Sequence, residues 1–306
     1  MENNKLNNIK ANTGIYARLL VLVALVAFLT GGYFWVLSLS NQDILIFNTS
    51  FIWLLAVAVI EGILFGYIRE DLDVLSKNGK ILRHPIGSFI DHWSHAFGFI
   101  ILAVTGLLLG LRTHLLEDFV FNYLLIPRLV SSAEMVNFLF NLHFLGILFL
   151  LFAISYHLSY HLRKKSHKIL PRSGDLSKSI KETLSLIGLT DRPKEDKYEA
   201  IERIEYVGWS IIVGIIVITG IFKIGAHIWW VGPTTPSWTA PLLFWSNLLH
   251  DTFALIGSLL LVVHVITAAI IPSSWPFIKS MATGWMSEEN VKNHHEEWYN
   301  EIKQKE

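Results

Sequence analysis

The 306-residue chain contains no cysteine. That excludes disulfides, Cys-ligated iron–sulfur clusters and covalently attached c-type haem. Any haem would have to be a non-covalent b type, and any iron–sulfur cluster would have to sit on a partner. Charge is also scarce. Only 16% of the residues are Asp, Glu, Lys or Arg, against about a quarter in a soluble domain. The net charge of zero singles out no class of partner, and nothing in the chain calls for nucleic acid. There are no internal repeats and no low-complexity tracts.

What is present is apolar. Hydrophobic residues make up 52% of the chain, with 11 Trp and a mean hydropathy of +0.46. The composition is that of an integral membrane protein, and the pattern predicts an all-α fold of six transmembrane helices. The apolar segments run Tyr16 to Ser40, Ile44 to Ile68, Ile86 to Leu111, Met135 to Leu162, Tyr206 to Ile228 and Leu242 to Ile271. The first is too long for a signal peptide and has no A-x-A cleavage pattern, so it reads as a retained helix. Glu61 lies within the second, as a paired or protonated carboxyl or part of a proton path. A polar segment, Arg163 to Glu205, separates the fourth and fifth and includes KSIKETLSLIG, a candidate surface helix. The tail from Lys279 is rich in charge and aromatics and weakly amphipathic.

Six spans put both termini on one side. Of the 25 lysines and arginines, 22 fall on that side, only Arg112 and Arg128 fall on the other, and Lys223 lies within the fifth span. Positive loops stay inside, so both termini are expected in the cytoplasm, in a bacterial inner membrane. The loop WWVGPTTPSWTAP then lies outside, as an interfacial aromatic belt and a place for a partner to dock.

The sixth span, WSNLLHDTFALIGSLLLVVHVITAAIIP, carries His250 and His264, fourteen residues apart. On a helix that is about 21 Å of rise and within about 40° of a whole number of turns. Two imidazoles on one stripe, one per leaflet, suggest two haems stacked across the membrane, each held by histidine. Chain direction decides the partners. His143 on span four lies at the depth of His250, the outer level. His92 and His95 on span three, and His157 on span four, lie at the depth of His264, the inner level. The outer pair is His143 with His250, and the inner partner of His264 is one of His92, His95 and His157. His84, His114, His161, His167 and His227 read as interfacial side chains. Gly98, Gly106, Gly110, Gly146, Gly214 and Gly220 suit either close approach of a macrocycle or tight helix packing. Arg83, Arg112 and Lys223 are candidates to pair with haem propionates or to anchor at the interface.

HPIGSFIDHWSHAFGFIILAVTGLLLG, with Gly106 fourteen residues after His92, resembles the first core helix of the membrane cytochrome b (gamma) subunit of respiratory formate dehydrogenase. LHFLG at Leu142–Gly146 is similar to the His-x-x-Gly of that family's second core helix. DKYEAIERIEYVGWSIIVGIIVITG resembles its third, and the fourth has the same spacing of two histidines. MATGWMSEENVKNHHEEWYNE, with His-His and Trp-Tyr, is similar to its tail. The resemblance covers roughly residues 80–301. It implies a four-helix di-haem b bundle preceded by two extra helices, with His143 and His250 on the outer haem and His92 and His264 on the inner one. It also implies menaquinone or ubiquinone as acceptor near His264, an iron–sulfur subunit, and a catalytic subunit containing molybdenum or tungsten. The domain boundaries expected are 1–75 for the added helices, 76–278 for the haem domain with its loop 163–205, and 279–306 for the tail. Where the family has Asn-x-Gly after Lys-Tyr, this chain has Glu199-Ala200-Ile201, which leaves quinone contacts there open. Two other readings use the same residues. One is the haem b anchor of another quinone-linked complex, such as a hydrogenase or a thiosulfate or polysulfide reductase. The other is a haem-free transporter or anchor using Glu61 and the histidines for protons.

Overall fold

The structure, a computed structural model, describes residues 9–10, 13–72, 75–111, 133–165, 168–186, 188–230 and 235–305. Arg112, His114, Arg128 and His167, and the middle of the WWVGPTTPSWTAP loop, lie outside the described residues. Six apolar helices form the body: α1 Ile15–Ser40, α2 Trp53–Ile68, α3 Ile86–Leu111, α4 Ala133–Lys164, then α6 Ala200–Ile228 and α7 Thr239–Ala269. Five are long and apolar enough to cross a membrane, and α2 is a shorter apolar helix of 16 residues. The protein is thus a multi-pass membrane protein. Helices are the solution because hydrocarbon offers backbone N–H and C=O groups no partner. The remaining helices are polar: α5 Asp175–Leu186, α8 Trp275–Thr283, α9 Glu288–His294 and α10 Glu296–Lys305.

Helix α4 is the centre of one half, with α1, α2 and α3 packed on it, while α6 and α7 pair as the other half. The halves meet where α3 touches α7. Helix α2 lies close on α4 because Gly62 and Gly66, one turn apart, face it. A Cβ on Gly62 would stand 2.8 Å from Ser155 Cβ, and one on Gly66 would collide with the Tyr156 carbonyl and Ser159 hydroxyl. Gly98 does the same between α3 and α4, where an added Cβ would meet Leu150 N at 3.0 Å.

The second span differs from its sequence reading. Helix begins only at Trp53, and Asn41–Ile52 is a run of turns. The run mixes polar residues (Gln42, Asp43, Asn48, Thr49 and Ser50) with apolar ones, and its backbone is irregular. It persists because protein surrounds it: Ile46 and Phe47 are buried against Phe144 and Val36. Asn141 on α4, fully buried, supplies the missing hydrogen bonds. Its Oδ1 accepts from Ile46 N (2.8 Å), and its Nδ2 donates to Ile44 O (2.8 Å) and Ser40 Oγ (3.0 Å).

At the end of the bundle where the start of α1 meets the tail (the terminal end), a polar tier closes the fold. A three-stranded antiparallel sheet joins β1 Ser76–Lys77 and β2 Lys80–Leu82 to β3 Trp285–Ser287 of the tail. The tail is therefore folded, not merely amphipathic. Ile81, Met286, Val291, Trp298 and Ile302 make a small core of their own. His295 is fully buried within it and donates from Nδ1 to Asp196 O (2.8 Å); burial pushes its pKa down to about 2. The predicted surface helix forms as α5 and is stapled to α6 by Arg203, which binds both Asp175 oxygens (2.7 Å each) and Glu195 (3.2 Å). Glu199 is buried at the start of α6. It caps α6 in a reciprocal capping box with Glu202 and pairs with Arg192 at 2.6 Å. Burial pushes its carboxyl above the usual range.

Asn141→Leu should leave the Ile46 amide buried and unpaired, at a cost of about 1–3 kcal/mol. The expected outcome is a lower unfolding midpoint in detergent by tryptophan fluorescence, while Asn141→Asp, which keeps the acceptor, should lose less.

Candidate functional site

The four histidines implied by the resemblance fall into two levels. His143 on α4 stands within electrostatic range of His250 on α7, and His92 on α3 within range of His264 on α7. In each pair the partners come from different halves of the bundle.

At the far level the imidazoles are fixed by a repeated device. Thr105 on α3 donates its hydroxyl proton to Ile101 O (2.7 Å), so its oxygen is left to accept. His143 Nδ1 lies 2.8 Å from that oxygen and must carry the proton. Thr219 on α6 likewise donates to Ile215 O (2.6 Å). His250 Nδ1 lies 3.1 Å from Thr219 Oγ1 and 3.1 Å from the Ile216 carbonyl, which can only accept. Both rings are thereby set in the Nδ1–H tautomer, with a bare lone pair on Nε2. The residue after each threonine is glycine. A Cβ on Gly106 would stand 3.6 Å from His143 Cε1, and one on Gly220 3.4 Å from His250 Cε1. Of the six glycines noted in the sequence, Gly106 and Gly220 border histidines, Gly98 and Gly146 serve helix packing, and Gly110 and Gly214 face open space.

The inner level is built differently. His92 Nδ1 is buried with no hydrogen-bond partner, as are Trp93 Nε1 and Ser94 Oγ beside it. Of the other candidates at this depth, His157 has both ring nitrogens engaged and His95 only its Nδ1. His157 uses both nitrogens, Nδ1 to Asp91 Oδ2 (2.9 Å) and Nε2 to Tyr206 OH (3.1 Å). His95 Nδ1 is bonded to Asp91 O at 2.9 Å. Asp91, His157 and His161 bring ligand atoms within 4.8 Å of one another. Asp91 is already shared with the Arg69 guanidinium (3.4 Å) and with His95 (3.3 Å), while His161 Nδ1 is buried without a hydrogen-bond partner. His84 and His227 make packing and polar contacts within the fold. His84 is buried and lies 2.8 Å from Arg83 Nη1 through Nε2, while His227 packs on Phe47 and Phe140. Glu61 sits on the exposed face of α2, away from all of them.

The charged candidates near the membrane faces also have partners. Arg83 pairs with Glu202 at 2.9 Å and Lys223 with Asp251 at 3.0 Å, while Arg112 lies outside the described residues.

The residues of the outer level fit a b-type haem. Neutral imidazoles with a free Nε2, Nδ1 held by a fixed acceptor, and a glycine beside the ring are what axial ligation to iron demands. The two threonines were not singled out from sequence. Their signal is the recurring Thr-Gly dipeptide, Val104-Thr105-Gly106 and Ile218-Thr219-Gly220, one on each helix flanking a histidine helix. Thr105→Val and Thr219→Val should each weaken retention of the outer haem about 10–100-fold, the usual range for a lost support of a metal ligand. Haem release to apomyoglobin, followed by absorbance, measures this.

Comparison with known proteins bears on the same residues. The chain is similar to the formate dehydrogenase cytochrome b556(fdo) subunit of Escherichia coli K12. The two are 23% identical over 233 residues, which cover 75% of this chain and 96% of the relative. The subunits of the same name in E. coli O6:H1 (strain CFT073) and O157:H7 match equally. The family model described as prokaryotic cytochrome b561 matches residues 83–284, a stretch that holds all four histidines and both threonines but neither α1 nor α2. The chain belongs to the prokaryotic cytochrome b561 family.

Proposed function

We propose that the chain is the di-haem b membrane subunit of a respiratory formate dehydrogenase. The observation that carries this reading is the pair of threonine-locked imidazoles, one from each half of the bundle, at a level distinct from the His92–His264 pair. His143 and His250 would hold the outer haem, and His92 and His264 the inner one. When bound, the two haems supply a pair of one-electron carriers with no open iron position, suited to conveying electrons from an iron–sulfur partner to quinone. Thr105 and Thr219 orient the outer ligands and hold their protons on Nδ1.

The terminal end is taken as cytoplasmic from the distribution of lysine and arginine, in a bacterial inner membrane. Menaquinone or ubiquinone would then be reduced near His264, with protons drawn from the cytoplasm. Residues 76–278 would be the haem-bearing unit, 1–75 the added helices and 279–306 the tail. The E. coli relatives are named as formate dehydrogenase subunits, which supports an iron–sulfur partner outside and a catalytic subunit carrying molybdenum or tungsten. The formate-oxidising chemistry would belong to that subunit.

Two substitutions separate the levels. His250→Ala should abolish the outer haem and leave the inner one, and His264→Ala should do the reverse, read as loss of one of two components in a potentiometric titration of the reduced b band. Loss of the same component in both variants would contradict the ligand assignment.

A further inference from the structure

Helix α1 lies outside the stretch matched by the family model, yet it carries a buried cation. Arg18 is only 2% exposed. One guanidinium nitrogen, Nη2, donates to the His84 carbonyl, a neutral acceptor. Nε and Nη1 are buried with no partner, and among the described residues no carboxylate pairs with it. Arginine cannot shed its charge, and a buried charge without a counter-ion is strongly destabilising. The neighbouring cations do not share this state. Arg69 is held by Asp71, Arg83 by Glu202 and Arg203 by Asp175. The unmet demand at Arg18 is for an anion.

Its position says which anion. The guanidinium lies 5.2 Å from the centroid of the Phe89 ring. Phe89 precedes His92 by three residues, so the two share a face of α3, with Phe89 about 4.5 Å nearer the terminal end. His84 lies within electrostatic range of both His92 and Arg18, and burial together with these charges and Arg83 and Lys197 holds its imidazole well below its ordinary value. Positive charge therefore gathers on the terminal side of the inner level. Arg18 is also walled in. Its guanidinium abuts Gly284, the left-handed cap of α8 (φ 88°), where any Cβ would collide with it. A lipid phosphate would reach an exposed arginine; this one faces inward.

We propose that Arg18 binds a propionate carboxylate of the haem held by His92 and His264, so that the added helix α1 secures the anionic edge of that cofactor. This rests on the di-haem reading above. The bond is an Arg–carboxylate ion pair through Nε or Nη1, the two nitrogens left open, with Nη2 kept on the His84 carbonyl. A cation beside the haem edge disfavours the ferric state, so its removal lowers the reduction potential.

The test is a potentiometric titration of the full-length wild type and of Arg18→Met, which keeps the length of the side chain without its charge. The expected result is two haems in both proteins, a downward shift in the inner component alone, and recovery of most of that shift in Arg18→Lys. Two haems with both potentials unchanged in Arg18→Met would overturn the proposal and leave Arg18 as a staple between α1 and the tail. Unchanged potentials with loss of a co-purifying anionic lipid, read by mass spectrometry, would assign the anion to lipid and overturn it equally. Should Arg18→Met fail to assemble, redox-difference infrared spectra with propionate-13C haem decide the point. A carboxylate band that moves between wild type and Arg18→Lys supports the pair, and an unmoved band overturns it. A wild type without haem would instead defeat the di-haem reading itself.

Discussion

The structure turns on a hydrogen bond made twice: a threonine hydroxyl, itself committed to its own helix backbone, accepting the Nδ1 proton of a histidine on the neighbouring helix. Within hydrocarbon an imidazole is costly unless its polar atoms are used. The threonine satisfies one nitrogen and, by fixing the tautomer, leaves the other as a bare donor to metal. The same bond joins α3 to α4 and α6 to α7, so ring orientation and pairwise helix packing are set together. Glycine after each threonine keeps the helix surface low beside the ring.

At the terminal end, the buried Arg203–Asp175–Glu195 group joins α5 to α6, and the three-stranded sheet joins the segment before α3 to the tail. Such buried ion pairs contribute little net stability over an apolar replacement, but breaking one leaves an uncompensated charge. Their effect is to permit one arrangement. At the start of α6, Glu202 meets Arg83 and so ties that helix to the segment before α3.

Much of this was legible in the sequence. Helices long enough to cross a bilayer announce themselves by hydropathy, and α1, α3, α4, α6 and α7 lie close to their predicted limits. The fourteen-residue spacing on α7 was legible because helical geometry converts spacing into depth and face. The start of α2 was read too early: Asn48-Thr49-Ser50 interrupts the apolar run, and the irregular backbone before Trp53 is capped from outside by Asn141, 100 residues on from Asn41. Choosing among His92, His95 and His157 by spacing was equally impossible. All three share a depth, and they differ in that Asp91 engages two of them while His92 Nδ1 is left without a partner. The tail looked weakly amphipathic because its core is completed by Ile81, a residue from another loop.

The central claim is that two pairs of imidazoles each hold one haem. Its most direct measurement is the haem content of the purified chain by pyridine haemochrome, combined with the low-temperature EPR spectrum of the oxidised protein. The account predicts two b haems per chain, both low-spin with bis-imidazole signatures. One haem per chain, none, or a high-spin centre with an open iron position would contradict it.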